Sequence, residues 1–146
     1  MAEADSFSVS AAEWPRDEPG IAQVRRRVFI EEQAVPEAME WEARDGECDW
    51  FVAGDKSGAI VGIARLTPDA RIGRMAVLPA WRRRGVGSAL LRAALARARQ
   101  KGLRQLSLHA QVHAVPFYVR FGFQARGPVF DEAGIPHREM FLEWME

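Results

Sequence analysis

The sequence predicts a mixed α/β fold (α+β) in one domain spanning residues 1–146: a mostly antiparallel sheet holding one parallel strand pair, with helices flanking it. Three observations predict it. Period-two stretches dominate and come in turn-linked pairs, the mark of antiparallel hairpins. One strand, helix, strand unit, Arg71 to Ala110, calls for a right-handed crossover between parallel strands. Finally, 146 residues with 48% hydrophobic content suffice for one packed core, and no repeat or low-complexity linker divides them.

The elements follow in order. Phe7, Val9 and Ala11 alternate with polar partners in a first strand. Asp17-Glu18-Pro19 starts a helix, with Asp17 as cap and Pro19 in the first turn, and the helix runs to about Gln33 with Ile21, Val24, Val28 and Phe29 on one face. The acidic "VPEAMEWEARDGE" reads as irregular or as a short helical turn. "DWFVAG" and "AIVGIARL" form a hairpin across "DKSG", and "RIGRMAVL" is a strand stopped by Pro79. A helix then places Val86, Leu90, Leu91, Ala94, Leu95 and Ala98 in an apolar stripe and ends at Gly102. "LRQLSLHA" is a strand, "AVPFYVRFGF" a short helix broken at Gly122, and a last hairpin pairs about Gln124–Phe130 with His137–Met145 across "DEAG".

Formal net charge is zero, but residues 1–49 hold thirteen acids against five arginines, while residues 70–130 hold twelve Arg and Lys and no acid. One part of the surface therefore attracts anions and another cations. The single Cys48 excludes an intramolecular disulfide and a multi-thiolate zinc site. No signal peptide or membrane span can be drawn, so a cytoplasmic protein that meets no membrane is expected. Nucleic-acid binding is disfavoured, because the arginines lack interleaved aromatics and the chain as a whole is neutral.

The basic segment concentrates at "WRRRGVGS", where Arg82, Arg83 and Arg84 meet Gly85 and Gly87 at a helix start. Bare first-turn amides and the positive end of the helix dipole suit phosphate oxygens, and arginines add charge-assisted donors. A glycine-rich connection with solvated arginines has the same composition. The P-loop requires a Lys before Ser or Thr after its glycines, and the Rossmann fingerprint a small residue where Leu90 stands; neither fits. His109 and His113 have H-x-x-x-H spacing, but Ala110 replaces the glutamate of the zinc motif and the pair straddles a strand end, so no metal is expected.

What remains is R-x-x-G-x-G at a strand-to-helix turn. "RMAVLPAWRRRGVGSALL" followed by "HAQVHAVPFYVRFGF" resembles the acyl-CoA-binding core of the GNAT superfamily of N-acetyltransferases, and "VFIEEQAVP" with "FDEAGIPHREM" resembles its ElaA-type branch. The resemblance implies that the parallel strands splay to admit acetyl-CoA as co-substrate. The strand backbone at Met75, Ala76 and Val77 would pair with the pantetheine arm, and the turn Arg82, Arg83, Arg84, Gly85, Val86, Gly87, Ser88 would hold the pyrophosphate. Arg83 and Arg84 are the implied side-chain phosphate contacts. It further implies Tyr118 as general acid, the Val77 amide as oxyanion donor, and Gln111, where many relatives carry Asn, as a pantetheine contact. Tyr118 also reads as a member of a core cluster with Phe117, Phe121 and Phe123.

The general base is open among Glu31, Glu32, Asp45, His109 and His137, in direct contact or through a water chain, with the acidic N-terminal third expected to line the side that receives a cationic amine. A histidine that commonly precedes the "FVA" strand in the branch is Trp50 here. The implied activity is transfer of acetyl to a primary amine, of a small molecule or a protein, by direct attack in a ternary complex, in a monomer or homodimer. A catalytically silent acyl-CoA-binding domain is the alternative.

Overall fold

The computed structural model describes residues 6–144. The seven strands are β1 (Phe7–Ala11), β2 (Asp49–Asp55), β3 (Ile60–Leu66), β4 (Ile72–Val77), β5 (Gln105–Gln111), β6 (Gln124–Glu132) and β7 (Ile135–Glu143). The helices are α1 (Glu18–Arg25), α2 (Glu37–Glu40), α3 (Val86–Gln100) and α4 (Val115–Val119). Met145, the expected end of the last strand, lies outside the described residues. No helix among them is long and apolar enough to cross a membrane.

Antiparallel pairing dominates as expected, but the parallel pair does not form a ladder. Instead of one mixed sheet there are two antiparallel ones, ordered β1-β2-β3-β4 and β5-β7-β6. Strands β4 and β5 meet at a single parallel bridge, Arg71 with Ser107, where the Ser107 amide donates to the Ala70 carbonyl at 3.1 Å. The reason lies in β4. Ile63 pairs with Ala76 and Arg65 with Gly73, so Arg74 and Met75 together oppose Ala64, and Arg74 sits in the left-handed region at φ 47°. Such a bulge bends and twists the strand, here away from β5.

Strands β2 and β3 are buried on both faces, which explains their near-continuous apolar sequence. Trp50, Val52, Ile63 and Ala76 meet Ile21, Val24 and Val28 on one face. Phe51, Ala53, Ala64 and Leu66 meet Val86, Leu90, Leu91, Ala94 and Ala98 of α3 on the other, in a core that continues into Leu106, Leu108, Phe123 and Met140 of the second sheet.

The helix ends differ in how well sequence foretold them. Gly102, at φ 80°, closes α3 by donating to Arg99 while Leu103 donates to Ala98, the paired bonds of a Schellman ending. Asp17, expected as a cap, bonds no amide of α1; its carboxylate takes the Glu13 amide at 2.8 Å and the Arg16 guanidinium. The expected helix to Gln33 does continue, but as a wider π-type segment over Arg26–Glu32.

Candidate active site

Because β4 and β5 part beyond Arg71, a cleft of about 790 Å³ opens between their facing edges. β4 contributes Gly73 to Val77, β5 contributes Leu108, His109 and Gln111, the π-segment Phe29 and Glu32, and α4 Phe117 and Tyr118. The direction of the β4 backbone follows from its register. Leu78 donates to the Val61 carbonyl at 2.9 Å, which makes Gly62 and Val77 a non-hydrogen-bonded pair and turns the N–H and C=O of Val77 away from β3. The Val77 carbonyl on that side accepts Arg82 Nε at 2.9 Å, leaving the Val77 amide at the cleft.

Val77, Arg82 and Gly87 also line an adjoining cavity of about 340 Å³, together with Arg83, Gly85, Val86 and Ser88. The first intrahelical bond of α3 runs from Ala89 to the Gly85 carbonyl, and no side chain caps the helix, so the amides of Val86, Gly87 and Ser88 have no acceptor within the helix. Gly85 holds the left-handed N-cap geometry at φ 85°. A side chain at Gly87 would meet only Phe117 at 3.8 Å, so protein packing does not demand glycine there; the open cavity gives its bareness a use.

The three arginines separate. Arg82 is held by Glu32 in a two-pronged pair of 2.8 and 2.7 Å, Arg83 lines the small cavity, and Arg84 lies 5.0 Å over the Trp81 ring. Glu32 is thereby committed: the Arg82 guanidinium holds its carboxyl below the usual range. Glu31 is exposed and outside the cleft lining.

Tyr118 belongs both to the aromatic cluster and to the cleft. Its ring stands edge-on to Phe117 at 5.0 Å and Phe123 at 6.0 Å, and its hydroxyl reaches Met75 Sδ at 3.6 Å beside the bulge. Burial pushes the phenol up to about 12.

Gln111 donates to Gln33 Oε1 at 3.0 Å across the cleft, a partner that lies at the end of "FIEEQ" but carries no signature of its own. His137 is buried, stacked on Phe130 at 6.0 Å, with Nδ1 2.7 Å from the Ile135 carbonyl. Facing a carbonyl, Nδ1 donates, so in the neutral ring Nε2 is the acceptor nitrogen, and no protein group bonds it among the described residues. His109 is engaged at both nitrogens, Nδ1 by Glu132 at 2.8 Å and Nε2 by Arg71.

Asp45 does not line the cleft. It belongs to a buried ion network in which Arg25 Nε meets Glu40 at 2.8 Å, Arg25 Nη1 meets Asp45 at 2.8 Å, and Arg65 joins Asp45 to Glu42. Arg74 extends it, 3.1 Å from the Glu40 carboxylate. Burial raises the Glu40 carboxyl despite its two arginines; in Asp45 the same penalty is outweighed by bonds from Arg25, the Glu42 amide and Arg65. Trp50 sits beneath this network, donating Nε1 to the Asp45 carbonyl at 2.9 Å with the Arg25 guanidinium 5.1 Å over its ring.

A sequence model of the acetyltransferase (GNAT) domain matches residues 9–144. The chain belongs to the GNAT acetyltransferase family. The uncharacterised Bacillus subtilis N-acetyltransferase YjcF is 33% identical over 123 residues, 82% of this chain and 88% of that protein. The uncharacterised Bacillus subtilis protein YyaT is 33% identical over 126 residues, covering 83% and 85% respectively. The crystal structure of Escherichia coli ElaA matches with a TM-score of 0.81 at 26% identity, over 94% of this chain and 99% of that one. In this GNAT domain the bulged strand, the cleft and the bare start of α3 form one continuous surface.

Proposed function

We propose that this chain transfers acetyl from acetyl-CoA to a primary amine by direct attack in a ternary complex. The observation that carries the reading is the continuity of the cleft: an outward Val77 amide and the Tyr118 hydroxyl at one end, and unsatisfied first-turn amides of α3 at the other. Those amides, with Arg83, fit a pyrophosphate. The unladdered edges of β4 and β5 offer backbone groups to the amides of a pantetheine arm.

Acetyl-CoA supplies an acetyl carbon activated as a thioester. The amine nitrogen forms a bond to that carbon, and the Val77 amide donates to the oxygen as charge gathers on it. The carbon–sulfur bond breaks, and the thiolate takes the Tyr118 proton, which a phenol raised to about 12 retains throughout the neutral range. The proton lost by nitrogen goes to Nε2 of His137, for four of the five base candidates are otherwise placed: Glu32 on Arg82, Asp45 in the buried network, His109 between two partners, and Glu31 away from the cleft. Proton return through solvent resets Tyr118.

The test is Tyr118→Phe. Release of CoA across an amine panel is expected to fall about a hundredfold or more, with acetyl-CoA affinity by calorimetry unchanged. Full turnover by the variant defeats the assignment, and tight acetyl-CoA binding by the wild type without CoA release from any amine favours the silent domain.

A further inference from the structure

The carboxylates lining the cleft are all already engaged. Glu32 is paired with Arg82, Glu40 with Arg25 and Arg74, and Glu132 accepts from His109. The acidic N-terminal third therefore does not present a free anion to a cationic acceptor. The cations are unequal: Arg65 and Arg74 meet carboxylates, whereas Arg71 has none within ion-pair distance among the described residues.

Arg71 is nevertheless held. A guanidinium only donates, so Nε2 of His109 must accept from it, which places the ring proton on Nδ1, where it is given to Glu132 at 2.8 Å. Phe130 braces the ring edge-on at 4.9 Å. A neutral ring thus aims the guanidinium without cancelling its charge, and Glu132 is directed to the far side of the imidazole. Arg71 also stands at the right place. It lies one residue before β4 and four before Met75, which touches the Tyr118 hydroxyl, a separation of at most about 13 Å that the bulge at Arg74 shortens. The Arg71 side chain and an acceptor share that span.

We infer that the acceptor is a primary amine that also carries a carboxylate, with Arg71, held by His109, as the residue that selects it. A carboxylate takes two parallel bonds from a guanidinium, which fixes the acceptor's direction as well as its affinity. A diamine would bring a second cation toward Arg71 and find no unpaired carboxylate in the cleft lining. This rests on the acetyltransferase reading above.

The experiment compares L-amino acids with their primary amides and with diamines, each at saturating acetyl-CoA and scaled to the unprotonated amine fraction. Wild type is expected to favour the acids by about tenfold to a hundredfold in kcat/KM. Arg71→Gln is expected to collapse that ratio to about threefold or less, with Arg71→Lys recovering part of it and the KM for acetyl-CoA unmoved in both. Preference for amides or diamines, or an Arg71→Gln ratio equal to wild type, overturns the inference and leaves the acetyltransferase reading standing. No CoA release from any of the three sets overturns the inference, and the wider amine panel then decides the acetyltransferase reading separately.

Discussion

Replacing Arg25 by Met keeps most of the buried stem but removes the guanidinium from the ion network. Arg25 is 2% exposed and donates to the Glu40 carboxylate, the Asp45 carboxylate and the Glu40 carbonyl. Without it, Arg65 and Arg74 face Glu40, Glu42 and Asp45, leaving a buried negative charge uncompensated. Breaking a buried pair from one side costs about 3–5 kcal/mol. For a chain of this size each kcal/mol lowers Tm by about 2–4 °C, so a loss of roughly 6–20 °C is expected at pH 7, read by circular dichroism. The pH dependence gives a sharper check. Asp45, held low in the native state, contributes stability that is present above its unfolded value of 3.8 and is lost on acidification; in the variant that contribution shrinks. Glu40, already raised above 4.5, rises further without Arg25, and a raised carboxyl weakens the fold as pH climbs above its unfolded value. Both effects widen the gap between variant and wild type at neutral pH and narrow it below about pH 4. A Tm loss under about 2 °C at pH 7, or a gap that grows with acid, refutes the reasoning.

The base assignment predicts that His137→Gln lowers kcat/KM about a hundredfold with acetyl-CoA affinity intact, and that the residual rate climbs with pH as the free amine deprotonates. An unchanged rate and profile returns the role to solvent. Gly85→Ala places a side chain in open space but at φ 85°, so it is expected to cost about 1 kcal/mol of stability through the backbone alone. Because the turn presents the first amides of α3, acetyl-CoA affinity should fall as well; a stable variant with unchanged affinity removes Gly85 from the phosphate site.

What sequence made legible was what is local. The stripe and Gly102 ending of α3 follow from spacing of three and four residues, and the two-sided burial of β2 and β3 from their apolar runs. The glycines at Gly85 and Gly87 likewise pointed to the start of α3, because a bare backbone is a property of the residues themselves. A strand, helix, strand pattern states direction but not the bulge at Arg74 and Met75 that separates the edges; the splay is expected from the family resemblance alone, and the parallel ladder is absent. Long-range partners left no trace: Arg82 finds Glu32 at 50 residues' separation, Arg71 finds His109 at 38 and Gln111 finds Gln33 at 78. Asp17 illustrates competition at short range, where a neighbouring turn claimed the carboxylate that the helix was expected to use. Acid-rich composition over residues 1–49 suggested a cation-attracting wall, but composition counts charges and not their partners.

The single backbone bridge between Arg71 and Ser107 has a thermodynamic corollary. Two sheets joined by one backbone bridge among the described residues leave a seam whose walls are held mainly by the shared apolar core, and a ligand lying along it would serve as a removable strand. Amide exchange along β4 and β5 should then report ligand occupancy more sensitively than exchange in β2 and β3. At a hundredfold excess over its Kd such a ligand adds about 2.7 kcal/mol to the whole fold. In a cell, the durability of this protein would rise and fall with the supply of the molecule that closes its seam.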